Sequence, residues 1–231
     1  MIKNNNVIVA CDLSTRTELK TFLKKLLPFK PFIKIGLQAY CSFGNELVKD
    51  LKKQGYKIFL DLKLYDIPNT VYETIKVLDK LKIDFLTIHA LGGIEMMKAA
   101  RKATSKIKLL AVTILTSMDE KKLKDELLIK KSVNETVETL AINAWNSKID
   151  GVICSANEAK KIKNITTNKF LVVTPGIRLE NQSNDDQARV ATPNFARKNE
   201  SDFIVVGRAI TKSKNPKQDY ETILKQFNGE K

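Results

Sequence analysis

Eight short, almost uniformly apolar runs, recurring about every 25 to 30 residues, limit what this chain can fold into more than any other feature. They are Val7–Asp12, Phe32–Gly36, Ile58–Lys63, Phe85–Ala90, Leu109–Leu115, Gly151–Ser155, Phe170–Pro175 and Phe203–Arg208. Most are too uniformly apolar for a half-exposed sheet and suit parallel strands buried on both faces. Helix-like segments fill the intervals: Thr17–Leu27, Asn45–Gln54, Thr70–Leu81, Gly93–Ala103, Val133–Asn146, Asn157–Lys163, Asp186–Asn199 and Pro216–Phe227. Thr70-Val-Tyr-Glu73 has the form of a capping box. No sequence repeat stands out, but eight strand–helix units in 231 residues predict an α/β fold, a (β/α)8 TIM barrel. A doubly wound open sheet is the alternative. It would normally need fewer strands, and a nucleotide-binding version wants GxGxxG after the first strand, which is lacking here. Without a Pro/Ser/Gly-rich linker, residues 1–231 are expected to form a single domain.

The composition narrows the function classes. No apolar run approaches the roughly 18 residues of a membrane-spanning helix, and the N-terminal MIKNNNVIVACD does not read as a secretory signal. A cytoplasmic protein with no membrane partner is expected. Forty basic against 26 acidic residues give a net charge of +14, which raises a nucleic-acid partner as an alternative. Only six of the forty are arginines, and the one tight lysine group is Lys121, Lys122 and Lys124. Single-strand binders interleave aromatics with basic residues, and aromatics here are 7 %. The lysines therefore read as a solvated surface with no specific nucleic-acid partner, although a positive field still attracts a small polyanionic substrate. Cys11, Cys41 and Cys154 form no CxxC pair and no cluster with histidine, so neither a disulfide nor a metal site is expected.

In a (β/α)8 barrel the active site lies at the C-terminal ends of the strands. Six of the apolar runs carry charged or ionisable residues there. Run one ends in Asp12, run two carries Lys34, and run three carries Asp61 and Lys63 with Asp66 just beyond. Run four reaches His89, the only histidine. Run seven leads into Gly176-Ile-Arg178, and run eight ends in Gly207-Arg208. Run five leads to Thr116 and Ser117. Residues 61 and 63 share a strand face, and with Lys34 on the neighbouring strand acids and ammoniums alternate in a small space. Two readings stand. One is a structural ion-pair network closing the barrel mouth, with Asp66 capping a helix ahead of Pro68. The other is a preorganised charged site whose lysine moves a proton. Gly207 permits close approach of a ligand and Arg208 can grip a phosphate with two parallel bonds, at the strands where barrels usually hold phosphate. The stretches 116–131 and 179–187 exceed ordinary loops and are lid candidates at the same mouth.

The run Phe59–Val71, FLDLKLYDIPNTV, resembles the signature of the orotidine 5′-phosphate decarboxylase family, in its short bacterial form. The resemblance covers essentially the whole chain. Ala10-Cys-Asp12, Phe32-Ile-Lys34-Ile-Gly36, His89-Ala-Leu-Gly-Gly93, Val112–Ser117, Val173–Arg178, Asp186–Pro193 and Val205–Arg208 match in order. It implies decarboxylation of orotidine 5′-phosphate to UMP in pyrimidine biosynthesis, without metal or organic cofactor. By the same resemblance Lys63 is the proton donor to C6, Asp61 and Asp66 are flanking carboxylates, and Lys34 completes the catalytic network. Asp12 and Lys34 are implied to meet the ribose hydroxyls and Thr116 the pyrimidine or its neighbourhood. Gln187, Gly207 and Arg208 would hold the phosphate, with Arg178 close by. A homodimer is implied, in which Asp66 and Thr70 serve the neighbouring site. Histidine 89 is left as a supporting group. Hexulose-phosphate synthase and ketogulonate-phosphate decarboxylase share the D-x-K-x-x-D pattern but use Mg²⁺ held partly by a second-strand acid. Here that strand carries Lys34, and the Ile67-Pro-Asn-Thr70 continuation is not theirs.

Overall fold

The computed structural model of the chain describes residues 6–179 and 190–230. Eight strands alternate with helices: β1 (Val7–Ala10), α1 (Arg16–Lys25), β2 (Phe32–Gly36), α2 (Leu37–Lys53), β3 (Ile58–Leu64), α3 (Pro68–Asp79), β4 (Phe85–His89), α4 (Gly93–Ala103), β5 (Lys108–Val112), α5 (Glu120–Asp125), α6 (Val133–Asn146), β6 (Gly151–Ile153), α7 (Ala156–Ile165), β7 (Leu171–Thr174), α8 (Pro193–Lys198), β8 (Phe203–Val206), α9 (Arg208–Thr211) and α10 (Pro216–Asn228). The strands are all parallel, pair in chain order, and close through β8 on β1. The fold is the expected (β/α)8 barrel, and the open-sheet alternative is excluded by that closure.

Several local expectations are corrected. The capping box at Thr70–Glu73 does not form. Helix α3 opens two residues earlier on Pro68, whose fixed φ suits the first helical position. Its N-cap is Ile67, without a side-chain cap, and not Asp66. Capping boxes close instead at Thr15–Glu18 and Ser132–Glu135, and at Ser155 the Glu158 carboxylate accepts the Ser155 N–H at 2.8 Å. The helix expected from Asn45 is the second half of α2, which begins at Leu37 and breaks at Gly44, where φ is 59°. Strand β1 ends at Ala10, so Asp12 lies on the following loop. Strand β8 ends at Val206, and Arg208 opens the short α9. The described part of the Asp186–Asn199 segment is helical only over α8.

Side chains on alternate strand positions point into the barrel. Its interior is layered. Toward the N-terminal end Phe32, Phe85 and Phe203 pack ring against ring, with centroids 4.8–6.2 Å apart. Phe59, Ile8 and Leu110 continue the apolar filling. Two positions further along β2 and β3 the same faces carry Lys34 and Asp61, so the filling turns from aromatic to charged within one strand length. A larger apolar shell between strands and helices holds the barrel from outside.

One device recurs although no sequence repeat announces it. Asp84, Asp150 and Asp202 each stand immediately before an even-numbered strand. Each carboxylate accepts the backbone N–H at or next to the start of the preceding strand: Ile58 at 2.8 Å, Leu109 at 2.8 Å and Val172 at 2.6 Å. Each also pairs with a cation on the helix before that strand: Lys52 at 2.8 Å, Arg101 at 2.5 Å and Lys163 at 2.6 Å. Three strand pairs are thus clamped to their helices at the end remote from the mouth. The clamps differ in burial: the Lys163 side chain is 4 % exposed and that of Lys52 25 %. Asp202→Ala strands a buried ammonium and is expected to cost about 3–5 kcal/mol. Asp84→Ala should cost about 1–2 kcal/mol. Urea unfolding midpoints check this, and equal losses would remove burial as the deciding factor.

Candidate active site

The C-terminal mouth encloses a cavity of about 710 Å³, lined by the ends of β1, β2, β3, β5, β6, β7 and β8. Four charged side chains meet in it. Lys34 Nζ lies 3.1 Å from Asp12 Oδ2 and 3.3 Å from Asp61 Oδ2. Lys63 Nζ lies 3.0 Å from the other oxygen of Asp61. The order is acid, ammonium, acid, ammonium, as the spacing along β2 and β3 suggests. Asp12 is fixed from outside the strand: the Gly36 N–H donates to its Oδ1 at 3.2 Å. A Cβ at 36 would stand 2.5 Å from that oxygen, so a larger residue there would displace the Asp12 carboxylate.

Lys63 sits on an irregularity. Its φ is 50°, rare for a residue with a side chain. The β3–β4 register shifts between Leu60 and Leu64. Such bulges re-aim side chains next to active sites. The residue that holds the bulge is Thr87 on β4, fully buried. It accepts the Lys63 backbone N–H at 2.8 Å and donates to Asp61 Oδ1 at 2.9 Å. Sequence reasoning passed over Thr87. Its one signal was a hydroxyl in the middle of an apolar run, on the β4 face that points inward.

The electrostatics follow. Burial works against the Lys34 ammonium, yet the Asp61 and Asp12 carboxylates and their hydrogen bonds outweigh it and hold its pKa above the usual lysine value. Burial likewise works against ionised Asp61, and Lys34, Lys63 and Thr87 outweigh it, so its pKa falls below the usual carboxylate value. Burial and then the Lys63 charge lower the pKa of His89. Its Nδ1 accepts the Leu91 N–H at 3.4 Å and its ring stacks on Tyr65.

On the far side of the cavity stand Thr116, after β5, and Arg178, Gly207 and Arg208, after β7 and β8. Arg178 is buried and its backbone pairs with Ala191. A Cβ at Gly207 would meet only Ala10 at an ordinary 3.6 Å, so no close packing within the protein demands glycine there. Gln187 and most of the 179–187 stretch lie outside the described residues. The 116–131 stretch carries α5 and borders the mouth through Thr116 and Ser117. Asp66 and Thr70 do not join the network of their own chain. Both are exposed, and among the described residues Asp66 Oδ1 accepts only the neighbouring Ile67 N–H, at 2.7 Å. Among the described residues no three His, Cys, Asp or Glu side chains converge to hold a metal, and no helix is long and apolar enough to cross a membrane.

Comparison with known proteins decides the family. The profile described as "Orotidine 5'-phosphate decarboxylase / HUMPS family" matches residues 5–223. The chain belongs to this family. A relative named orotidine 5′-phosphate decarboxylase from Lactobacillus acidophilus is 47 % identical over 231 residues, covering 96 % of this chain and 98 % of the relative. One of the same name from Fusobacterium nucleatum is 44 % identical over 225 residues, covering 96 % and 95 %. A crystal structure of orotidine 5′-phosphate decarboxylase from Lactobacillus acidophilus superposes with a TM-score of 0.87 at 44 % identity, covering 97 % of this chain and all of that one.

For this member of the orotidine 5′-phosphate decarboxylase / HUMPS family, the paired charges set a pH window. Asp61 has a lowered folded pKa, so its contribution is present above the unfolded value near 3.8 and lost as pH falls through the folded one. Lys34 has a raised folded pKa, so its contribution is present below 10.5 and lost as pH rises through the folded value. Lys34→Met is expected to flatten both the alkaline fall in unfolding temperature and the acid fall, because it removes the raised lysine and relieves part of the lowering of Asp61. Thermal unfolding between about pH 3 and about pH 11 measures both. An unchanged profile would mean that the network contributes no linkage.

Proposed function

We propose that this chain is a decarboxylase that converts orotidine 5′-phosphate to UMP in pyrimidine biosynthesis, working as a single barrel domain in the cytoplasm without metal or organic cofactor. The observation that carries the reading is the Asp12–Lys34–Asp61–Lys63 chain of charges at the mouth, ending in a lysine whose side chain is 34 % exposed toward the cavity. The second-strand lysine and the Ile67-Pro-Asn-Thr70 sequence favour this reaction over Mg²⁺-dependent sugar-phosphate chemistry.

The step needs little covalent help. The bond between C6 and the carboxylate breaks, CO₂ leaves, and the electron pair stays on C6 in an in-plane orbital that the ring cannot delocalise. The Lys63 ammonium stabilises that pair and then donates its proton to C6, giving UMP. Water returns a proton to Lys63. Asp61 faces the departing carboxylate. Two unit charges about 4 Å apart repel by about 4 kcal/mol at an effective dielectric near 20, whereas enzymes lower barriers by about 8–23 kcal/mol. Repulsion is therefore the smaller part, and stabilisation of the developing carbanion by Lys63 the larger. Asp12 and Lys34 hold the ribose hydroxyls, Thr116 borders the pyrimidine, and Gln187, Gly207, Arg208 and Arg178 hold the phosphate. Grip on the remote phosphate is spent in holding C6 against Lys63.

In this reading Asp66 and Thr70 reach the site of a second copy. Their exposure supports it, as does the exposed apolar surface beside them, with Tyr65 63 % and Ile67 66 % exposed. The reaction is tested by following the ultraviolet absorbance of orotidine 5′-phosphate in the presence of EDTA. Wild-type chain should convert it, and Lys63→Ala should lose at least about 10²–10⁴-fold of the rate. No conversion by folded protein, or conversion abolished by EDTA, would overturn the proposal. The shared site is tested by mixing Lys63→Ala and Asp66→Ala chains, each nearly inactive alone. Random exchange leaves one intact site in half the dimers, so about a quarter of wild-type activity should return. No recovery despite subunit exchange would place Asp66 outside the partner's site.

A further inference from the structure

At the opposite end of the barrel the strand entries enclose a second cavity, of about 940 Å³, which the decarboxylation reading does not use. Its floor is apolar, made by the edge-to-face cluster of Phe32, Phe85 and Phe203. Its rim is basic on one side only. Lys57 stands just before β3, Lys80 and Lys82 before β4, and Lys106 and Lys108 at the entry of β5. The entries of β2, β7 and β8 present Phe32, Leu171 and Phe203 to the same space.

Two carboxylates also line the cavity, and both are committed. Asp84 accepts from Lys52 and the Ile58 N–H. Asp79 accepts from the Thr104 hydroxyl and lies 3.9 Å from Lys106. Among the described residues Lys57, Lys80, Lys82 and Lys108 pair with no acid, although all four are exposed and acids stand within the same cavity. A solvated lysine face normally intersperses both signs. Here like charges from three consecutive strand entries surround one concavity with a low-dielectric floor, an arrangement that focuses field on an incoming anion. The volume lies within the range of small-molecule sites.

We propose that this N-terminal mouth binds an organic polyanion, a flat apolar ring system bearing two or more phosphate groups, at a site separate from the C-terminal mouth. The lysines take the phosphates as mobile point charges, and the ring lies against the phenylalanine edges. The inference does not depend on the decarboxylase reading.

Calorimetric titration of the full chain with ATP and with inorganic tripolyphosphate tests it. ATP should bind once per chain, more tightly than tripolyphosphate, and more weakly as salt rises. Lys57→Glu/Lys82→Glu/Lys108→Glu should weaken ATP at least tenfold, and the milder Lys57→Gln/Lys108→Gln at least threefold. Arg208→Ala, at the other mouth, should leave the affinity unchanged. Absence of binding overturns the proposal. So does binding that Arg208→Ala abolishes and the lysine changes spare. Tripolyphosphate binding as tightly as ATP would overturn the ring contact.

Discussion

The Asp61 carboxylate is the group on which the geometry of the mouth depends. One of its oxygens faces Lys34, and the other takes Lys63 and Thr87. Three elements, β2, β3 and β4, are therefore registered against a single side chain at the level where the barrel filling turns polar. Lys63 pairs with Asp61 and Lys34 with both Asp61 and Asp12, while the two lysines and the Thr87 hydroxyl together keep Asp61 ionised. This mutual dependence is what lets Lys34, with only 12 % of its side chain exposed, keep its charge.

That arrangement has a local cost. A non-glycine residue at positive φ, on a bulge, costs about 1–3 kcal/mol. The compensation is visible one strand away. Thr87 satisfies both the displaced Lys63 N–H and a lone pair of Asp61, so neither is left unpaired in a buried setting. Further from the mouth, the Asp84, Asp150 and Asp202 clamps and the phenylalanine layers make the other end of the barrel stiff. Positive φ at residues with side chains also occurs ahead of β4, β6 and β8, at Lys82, Lys148 and Glu200, but among the described residues only Lys63 carries it within a strand.

The barrel was legible in the sequence because buried parallel strands are written as uninterrupted apolar runs, and eight of them leave few alternatives. Charges at the ends of such runs, Asp12, Lys34, Asp61 and Lys63 above all, were legible because packing gives them no purpose. What was not legible depends on contacts between distant segments. The clamps join residues 26 to 49 positions apart, with different cations at different spacings, so no repeat shows. Thr87 looks like one more β-former until its strand is placed beside Lys63. The start of α3 went the other way: a capping-box pattern at Thr70 lost to Pro68, which fixes φ two residues earlier. The break of α2 at Gly44 hid its first half from a reading based on one continuous apolar stripe.

The two mouths treat charge in opposite ways, and the contrast bears on why the proposed reaction needs a buried network at all. At the C-terminal mouth the two lysines are balanced by two carboxylates, so the reacting centre itself offers no net pull on a substrate that carries both a carboxylate and a phosphate. Attraction must come from the arginines after β7 and β8 and from the +14 field of the whole chain. A lysine left unpaired there would bind the substrate carboxylate strongly and stabilise the ground state along with the transition state, which gains nothing in turnover. With Asp61 holding Lys63 at 3.0 Å, the ammonium is already satisfied before reaction. In the proposed reaction its extra stabilisation is released only when charge leaves the carboxylate and appears on C6, so neutral pairing would turn a strong cation from a binding group into one that favours the transition state.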